Sequence, residues 1–472
     1  MQFSLGNSYT FVTNATPEEE ALLHKWCNKE FEYYGLDFSQ RPPRRTKMSS
    51  NLPYYKYNKF PSGWTGKFLG QLKAKGINIA FKDIRTKPKD TPQLMSLLST
   101  TTIPPLRDYQ DRAVSKALQS TRGIVHHATG AGKTVVTAAI LRDLGLPSLI
   151  IVPTLNLLIQ TAEDLRGFLG EDYVGEIGEG VFDPKLFTVA TVQSIWSKIK
   201  RNDPELSNLF KKIDVLCIDE AHHINVAGKN KIQNTYFKIA TMLDCYYKFG
   251  LTATPGDPNS LERELLEGAT GRVIDHVSSS ELIKRGLLTK PVIQMYKITP
   301  PQRFSDWQAA YKQNILKNGR RNAQIVRLAE RYADEGKSVL ITVTRVAEHG
   351  GLLNDMIEDA VFMSGQTPAD ERKQILEDFG NKKIKILIST VVNEGVNIPS
   401  MDVIIMAGGG KSNKQTVQRV GRALRKSEGK SKAMIIDFYD ADRGMLERHS
   451  KARLKTYKKE SEFEIKDHID VN

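Results

Sequence analysis

The sequence is poor in cysteine and has no long apolar segment. Its 472 residues include three cysteines, Cys27, Cys217 and Cys245, which lie far apart and form no CxxC pair. A disulfide scaffold and a structural zinc site are therefore excluded, and we expect a cytoplasmic protein. No stretch approaches the roughly 20 consecutive apolar residues that a membrane span needs. The N-terminal residues lack the basic and apolar regions of a signal peptide, so neither secretion nor a membrane partner is expected.

Acidic residues are outnumbered by basic ones, and the excess is unevenly placed. The 68 Lys and Arg residues against 54 Asp and Glu residues give a net charge of +14. Residues 1–100 carry 15 basic and 8 acidic side chains, and residues 410–472 carry 16 and 10, so the basicity belongs to the two ends. This asymmetry favours a polyanionic partner, most often nucleic acid. A solvated basic surface that serves solubility is the alternative that charge alone leaves open.

Short β-branched runs alternate with helical patterns in two successive series. Such alternation predicts an α/β fold with two parallel-sheet domains built from βαβ units. The segment 86–105 contains four prolines and many hydroxyl side chains, which is typical of a linker. The predicted domains are a small N-terminal α+β domain with its linker at 1–100, two motor domains at 101–285 and 286–440, and a basic helical extension at 441–472.

A glycine-rich phosphate loop is predicted by the segment HHATGAGKT, which follows an apolar strand and precedes a helical stretch. The turn aims backbone N–H groups at phosphate, and the helix N-terminus favours the anion. Lys133 would neutralise the β- and γ-phosphates, and the Thr134 hydroxyl would ligate Mg²⁺. His127 occupies the first glycine position of the usual motif, and a chance GKT turn is the alternative. The residues predicted to bind nucleotide here are Thr129, Gly130, Ala131, Gly132, Lys133 and Thr134.

A second half of this site is predicted by the segment VLCIDEAHH, an apolar strand that ends in two carboxylates. Ligands of open α/β sheets bind at the carboxyl ends of strands. Asp219 would hold Mg²⁺, and Glu220 would orient or deprotonate the attacking water. We assign His222 a coupling role near the γ-phosphate and His223 a structural one.

The motifs GAGKT, DEAH, LTATP and QRVGRALR occur in this order, and residues 103–440 resemble superfamily 2 helicases and translocases. The resemblance implies two tandem RecA-like domains that hydrolyse ATP with Mg²⁺. It implies adenine contacts from Gln110 and Arg107, and coupling of ATP state to DNA binding by Thr252 and Thr254. Further nucleotide contacts are implied at Gly395 and Asn397, where many relatives carry Asp in place of the asparagine. The implied DNA contacts of the motor are Pro153, Thr154, Gln193, Thr344, Arg345, Gly365 and Thr390.

The motif QRVGRALR places Gln418, Arg422 and Arg425 at helical i, i+4 and i+7 spacing, hence on one face. In the resembling family this face closes onto the γ-phosphate, with Arg425 as the arginine finger and Arg422 as the second arginine. A guanidinium there stabilises the charge of the transferring phosphoryl group. A solvated basic helix is the alternative reading.

Within this superfamily the whole chain resembles the UvsW-type helicases of large phages. That resemblance implies a monomer in the host cytoplasm that unwinds or branch-migrates Holliday junctions and forks in phage recombination, replication and repair. It implies an N-terminal duplex-binding domain in which Trp64 stacks or packs and lysines contact phosphate. The lysines are Lys56, Lys59, Lys67 and Lys73. The alternative is that Trp64 and Phe68 form the core of that domain and only the lysines face outward.

Two functions of other kinds remain open at this point. An RNA helicase shares the same motor motifs. An ATP-driven duplex translocase would hydrolyse ATP on DNA without separating its strands.

Overall fold

The computed structural model describes residues 1–37, 44–88, 101–224, 235–343, 346–390, 401–410, 420–421, 423–424, 430, 432–442 and 444–470. The chain divides into two compact units. The first consists of residues 1–127 and 132–276, and the second consists of residues 128–131 and 277–472.

The strands are β1 (Gln2–Leu5), β2 (Tyr9–Thr13), β3 (Asn28–Asp37), β4 (Arg44–Pro53), β5 (Lys59–Pro61), β6 (Ala80–Asp83), β7 (Arg122–His127), β8 (Ser148–Val152), β9 (Val174–Gly178), β10 (Val181–Asp183), β11 (Phe187–Thr191), β12 (Val215–Asp219), β13 (Tyr247–Thr252), β14 (Val273–Val277), β15 (Lys290–Ile298), β16 (Val339–Thr342), β17 (Ala360–Met363), β18 (Ile386–Ser389), β19 (Val403–Met406), β20 (Lys432–Asp440) and β21 (Glu464–Asp470).

The α-helices are α1 (Pro17–Cys27), α2 (Thr65–Ala74), α3 (Asp108–Ser120), α4 (Lys133–Leu144), α5 (Leu155–Leu169), α6 (Val192–Lys200), α7 (Pro204–Phe210), α8 (Thr235–Met242), α9 (Leu261–Thr270), α10 (Ser279–Lys284), α11 (Trp307–Ala310), α12 (Gly319–Asp334), α13 (Val346–Met356), α14 (Ala369–Gly380) and α15 (Met445–Tyr457).

The first unit is built on an eight-stranded sheet of order β10-β9-β11-β8-β12-β13-β7-β14. The pairs from β9 through β11, β8, β12 and β13 to β7 are all parallel, and β10 is antiparallel to β9. Every residue of β8 and β11 is buried, which is what a strand covered by helices on both faces requires. The predicted α/β fold with a parallel sheet is confirmed here.

The second unit is built on a seven-stranded sheet of order β17-β18-β16-β19-β20-β15-β21, in which the paired strands are parallel. Together the two sheets confirm the predicted pair of tandem RecA-like domains.

The C-terminal residues form helix α15 and then strand β21 of the second sheet. Strand β21 pairs with β15 and forms the edge of the sheet. Arg453 of α15 is buried, and its Nε donates to Asp437 Oδ2 at 2.9 Å. Its Nη1 donates to the carbonyl of Gly410 at 2.8 Å. The basic helix predicted at 441–472 corresponds to α15, and one of its basic side chains, that of Arg453, is buried.

The N-terminal segment forms a small four-stranded sheet of order β5-β2-β1-β6 and a separate β3–β4 hairpin. The buried face of the small sheet packs on α1 and α2, where Phe60 contacts Phe3 and Phe68 with ring centroids 5.2 and 4.9 Å apart. Phe3 and Trp64 belong to the same hydrophobic cluster as Leu216 and Leu266 of the large-sheet region. The sequence predicts a separate domain at 1–100, and in the structure Phe3 and Trp64 of this segment share a hydrophobic core with the first large sheet.

Among the described residues, no helix is long and apolar enough to cross a membrane.

Candidate functional site

The phosphate loop joins the end of β7 to the start of α4. Gly130 and Gly132 have φ angles of 86° and 79°, in the left-handed region that favours glycine. A Cβ atom at Gly132 would lie 2.5 Å from Nε2 of Gln110, so a larger residue would displace that side chain. The loop therefore brings its backbone close to Gln110 and leaves Lys133 and Thr134 at the N-terminus of α4, where anions are favoured.

Gln110 is buried beside this loop on α3. Its side-chain oxygen accepts a hydrogen bond from the backbone N–H of Arg107 at 2.9 Å, which fixes the orientation of the amide. The Arg107 side chain is exposed and donates to the Tyr109 hydroxyl at 3.0 Å. The structure thus brings Gln110 to the phosphate loop, and its contact with adenine stays a prediction.

The two carboxylates follow the buried strand β12. Glu220 has a φ of 45°, a left-handed backbone that is rare for a residue with a long side chain. Burial and the adjacent Glu220 charge raise the pKa of Asp219, against the opposing charge of Lys133. Burial also opposes ionisation of Glu220, but Lys133 and a hydrogen bond with His222 outweigh it and lower the pKa of Glu220. The structure therefore places the charges of Lys133 and both carboxylates in one electrostatic cluster.

His222 connects these carboxylates to the end of the neighbouring strand. Its Nδ1 lies 3.2 Å from Glu220 Oε2 and 3.1 Å from the hydroxyl of Thr252. The same hydroxyl accepts a hydrogen bond from the backbone N–H of Thr254 at 3.1 Å. The residues predicted to couple ATP state to DNA binding thus form a series of contacts, from Glu220 to His222, from His222 to Thr252, and from Thr252 to Thr254.

His223 stacks on His222 with ring centroids 4.6 Å apart, and on Tyr236 with centroids 5.8 Å apart. The structural role predicted for His223 fits this packing.

The predicted DNA contacts of the first motor domain lie at the same edge of the sheet. Pro153 and Thr154 follow β8, and Gln193 follows β11, which is parallel to β8. Gln193 Nε2 donates to the carbonyl of Pro153 at 3.0 Å. The Thr154 hydroxyl caps α5 by accepting from the N–H of Leu157. The structure brings these residues together, with Gln193 exposed and Pro153 buried.

A buried ionic network at the phosphate loop has no counterpart in the sequence analysis. Nε2 of His127 lies 2.8 Å from Asp275 on β14. Arg112 Nε and Lys116 Nζ, both on α3, reach the same carboxylate at 2.8 and 2.9 Å. Asp275 is buried, which opposes its ionisation, but hydrogen bonds from these three side chains hold its pKa well below the ordinary value. The network ties the end of β7 to the helix that carries Gln110.

This network was missed because Asp275 lies far from His127 in the chain. The available signal was the histidine at the first glycine position of the motif. Unlike glycine, a histidine at that position needs space and a polar partner, and here its ring is buried against the carboxylate of Asp275.

In the second unit, Gly365 follows β17 and Thr390 follows β18, two neighbouring parallel strands. The Thr390 N–H donates to the Met363 carbonyl at 3.3 Å. These two predicted DNA contacts therefore lie at the carboxyl edge of the second sheet. The remaining predicted residues lie outside the described residues: Thr344, Arg345, Gly395, Asn397, Gln418, Arg422 and Arg425.

The stacking role predicted for Trp64 is contradicted by its burial. Only 2% of Trp64 is exposed, and its Nε1 donates to the carbonyl of Glu264 at 2.7 Å. Phe68 is buried beside it, so the alternative that these two rings form a core is the one the structure supports. The indole packs against α9 at the start of α2, and its burial leaves no exposed ring face on which a base could stack.

The predicted N-terminal lysines separate into different environments. Lys56 and Lys73 are exposed, and Lys59 is half-buried. Lys67 Nζ forms an ion pair with Glu264 at 2.8 Å. Among the described residues, Lys56, Lys59 and Lys73 form no ion pair. Lys67 instead contacts helix α9 of the first motor domain through Glu264.

The donor chemistry at the strand ends fits Mg²⁺, because Thr134 and Asp219 offer hard oxygen ligands and Lys133 balances phosphate charge. No group of three His, Cys, Asp or Glu residues that could hold a metal ion exists among the described residues.

Two family models match the chain. Residues 103–257 match the res subunit of type III restriction enzymes, and residues 271–427 match the helicase conserved C-terminal domain.

Curated relatives match at low identity. The chain is 27% identical to the DNA 3'-5' translocase XPB2 of Sulfurisphaera tokodaii over 70% of this chain and 81% of the relative. It is 26% identical to the ATP-dependent DNA helicase uvsW of Enterobacteria phage T4, over 71% of this chain and 68% of the relative. Several other relatives are longer, and the chain covers about half of the putative helicase Rad25 of Haloarcula marismortui, 53%.

Among solved structures, Saccharomyces cerevisiae Dbp5 bound to RNA and ADP BeF3 is similar in fold. The TM-score is 0.56 at 16% identity, with coverage of 81% of this chain and 94% of that chain. The two family models match the chain in the order expected for the two motor domains, and the chain belongs to the superfamily 2 helicases, which are ATP-dependent enzymes.

Proposed function

We propose that this chain couples ATP hydrolysis to movement along DNA, and that it unwinds or branch-migrates forks and Holliday junctions. The observation that carries the coupling is the contact chain from Glu220 through His222 to Thr252 and Thr254. This series of contacts connects Glu220, the residue proposed to orient the attacking water, to the end of the next strand. The relatives named as a DNA translocase and a DNA helicase support DNA as the partner.

In this mechanism the first motor domain holds the nucleotide through its backbone and two side chains. The loop N–H groups and Lys133 bind the phosphates, and Gln110 faces the loop from α3. Thr134 and Asp219 would hold Mg²⁺, which supplies charge stabilisation for phosphoryl transfer.

Glu220 orients the water and accepts its proton, a role that suits a carboxylate in contact with a histidine. When the γ-phosphate leaves, the hydrogen bonds of Glu220 and His222 change, and Thr252 carries that change to the adjacent loop. Arg422 and Arg425 would supply the positive charge from the second domain, as the resemblance implies.

The proposed DNA contacts of the motor lie at the carboxyl ends of the strands in each large sheet. Pro153, Thr154 and Gln193 are grouped at the end of the first sheet, and Gly365 and Thr390 lie at the end of the second. Contacts of this kind bind the sugar–phosphate backbone and carry little sequence information, so recognition would follow the shape of the DNA.

Specificity for branched DNA is proposed to come from the basic N-terminal segment, which carries 15 basic and 8 acidic residues. The similarity to the uvsW helicase of phage T4 supports a place in phage recombination, replication and repair, in the host cytoplasm. We propose that the protein acts as a monomer.

The test measures strand separation and junction migration by the full-length protein on a single strand, a duplex, a fork and a four-way junction. We expect ATP-dependent processing of the fork and junction, and none in the Glu220→Gln variant. ATP hydrolysis on duplex without strand separation would instead identify a translocase. Greater stimulation by an RNA strand than by DNA of the same sequence would identify an RNA helicase.

A further inference from the structure

The small N-terminal sheet has a solvent-facing side that the sequence analysis did not single out. Along β2, Thr10 and Val12 are buried, while Phe11 between them is 42% exposed. Successive side chains of a strand point to opposite faces, so Tyr9 and Phe11 lie on the face opposite the helices.

The register of the sheet aligns two lysines with this phenylalanine. Phe11 is opposite Lys59 on β5 and opposite Ser4 on β1, and Ser4 is opposite Lys82 on β6. Side chains at paired positions share a face, so the row runs from Lys59 through Phe11 and Ser4 to Lys82. Lys59 Nζ lies 4.4 Å from the centroid of the Tyr9 ring and 6.0 Å from that of Phe11.

A tight turn presents a third aromatic ring next to this row. Lys56 and Lys59 exchange backbone hydrogen bonds of 3.2 and 3.3 Å around Tyr57 and Asn58. Both central residues have positive φ, 55° and 53°, a turn in which Asn and Gly are favoured at both positions. Tyr57 occupies such a position and is 79% exposed, with Lys56 Nζ 4.8 Å from its ring centroid.

We name these residues the lysine–aromatic face: Tyr9, Phe11, Lys56, Tyr57, Lys59 and Lys82. The other strand positions of that side of the sheet are Gln2, Ser4, Thr13, Pro61 and Ala80, so its strand positions include no acidic residue. Positive charge beside exposed aromatic rings is complementary to a nucleic acid strand, whose phosphates are negative and whose unpaired bases can stack on the rings.

We propose that the lysine–aromatic face binds single-stranded DNA, with unpaired bases stacked on Phe11 and Tyr57 and phosphates on Lys56, Lys59 and Lys82. The choice of DNA rests on the function proposed above. The choice of a single strand rests on the rings, since the face of a base is available for stacking on a side chain only when the base is unstacked from its neighbours. The N-terminal segment would then hold the displaced strand of a fork or junction.

The test measures the affinity of the full-length protein for a fluorescein-labelled oligothymidylate, without nucleotide, by fluorescence anisotropy. The variant Phe11→Thr/Tyr57→Asn removes both rings while keeping a β-branched residue in the strand and a residue that tolerates positive φ in the turn. We expect its Kd to rise by at least about fivefold, since stacking on one aromatic ring is worth about 1–3 kcal/mol. The affinity for a blunt duplex should change less.

The lysines are tested separately with a matched charge control. Lys59→Ala/Lys82→Ala should reduce the salt dependence of single-strand binding by a slope of about 1.4, from about 0.7 for each phosphate contact. Lys25→Ala/Lys75→Ala removes the same charge from exposed positions on α1 and just after α2, on the other side of the sheet. That control should leave the slope nearly unchanged.

The proposal is overturned if the ring variant, with a wild-type thermal unfolding midpoint, binds the oligonucleotide as tightly as wild type. It is also overturned if the loss is larger for duplex than for single strand, or if the charge control lowers the slope equally. Any of these three results, together with DNA-stimulated ATP hydrolysis by wild type, would leave the proposed function intact. If wild-type hydrolysis does not respond to DNA, the proposed function itself fails.

Discussion

The first unit contains two regions that hold their functional side chains in different ways. One is the group of strand ends and following turns near Lys133 and Glu220, and the other is the small N-terminal sheet. At the strand ends, side chains from distant parts of the sequence contact one another, as His222 contacts Thr252 and His127 contacts Asp275. On the N-terminal sheet the aromatic rings are divided between a buried side that contains Trp64 and an exposed side that contains Phe11.

This difference separates three kinds of effect. A substitution at the strand ends should change chemistry, one on the buried side of the N-terminal segment should change stability, and one on the exposed side should change DNA affinity. The predictions below test whether these effects are separable.

The largest effect is expected for Lys133→Ala. Removing the cation that faces phosphate should lower the rate of ATP hydrolysis by about 10³-fold. DNA binding without nucleotide should persist, because Lys133 belongs to the phosphate loop and not to the N-terminal sheet. Phosphate release and oligonucleotide anisotropy measure the two properties on the same preparation. Hydrolysis within a few-fold of wild type would remove Lys133 from the site.

The next largest effect is expected for Trp64→Ala. The buried indole contacts the backbone of α9 and donates to Glu264, so its loss should lower the free energy of unfolding by about 4 kcal/mol. Denaturant unfolding measures this loss, and Tyr57→Ala, which removes an exposed ring, is the matched control. A stable Trp64→Ala protein with selectively weakened DNA binding would restore the stacking role that burial argues against.

A smaller loss of stability, about 3 kcal/mol, is expected for Asp275→Asn, because Arg112, Lys116 and His127 lose a shared carboxylate. Hydrogen bonds lower the pKa of Asp275, so its contribution is complete at neutral pH and is lost only as the pH falls below the ordinary Asp value of about 4. The gap between wild type and variant should therefore close only in acid. Asp111→Asn, at an exposed position on the same helix, is the control, and an equal loss there would contradict a specific role for the network.

The smallest effect is expected for Lys67→Ala. Its ion pair with Glu264 is partly exposed, and solvent screening limits such a pair to under about 1 kcal/mol. Because this pair already engages the lysine, the salt slope of DNA binding should barely change, whereas Lys59→Ala should lower it by about 0.7 for a single strand. A comparable fall for Lys67→Ala would show that Lys67 leaves Glu264 to contact DNA.

The sequence predicts the phosphate loop and the Asp219–Glu220 pair because each is encoded by consecutive residues on one strand and its following turn. The buried strands β8 and β12 are equally local signals, and they carry the α/β fold. The coupling role of Thr252 was implied only by the family resemblance, and its contact with His222 was not predicted, since 30 residues separate the partners.

Other features depend on pairings that no local pattern encodes. Asp275 reaches His127 across 148 residues, and β21 reaches β15 from the end of the chain. Interleaved lysines and aromatics in the N-terminal segment do not reveal which rings face inward, because that depends on the register of β1, β2, β5 and β6. The sequence therefore left the role of Trp64 open between stacking and packing, and it did not predict the exposed ring of Phe11.

The most direct test of ATP-driven action on DNA compares ATP hydrolysis by wild type and Glu220→Gln, each with and without a single-stranded oligonucleotide. The proposed mechanism predicts that DNA stimulates wild type several-fold, and that the variant binds ATP but turns over about 10²–10⁴-fold more slowly under both conditions. Equal wild-type rates with and without DNA, or rapid turnover by the variant, would contradict the mechanism.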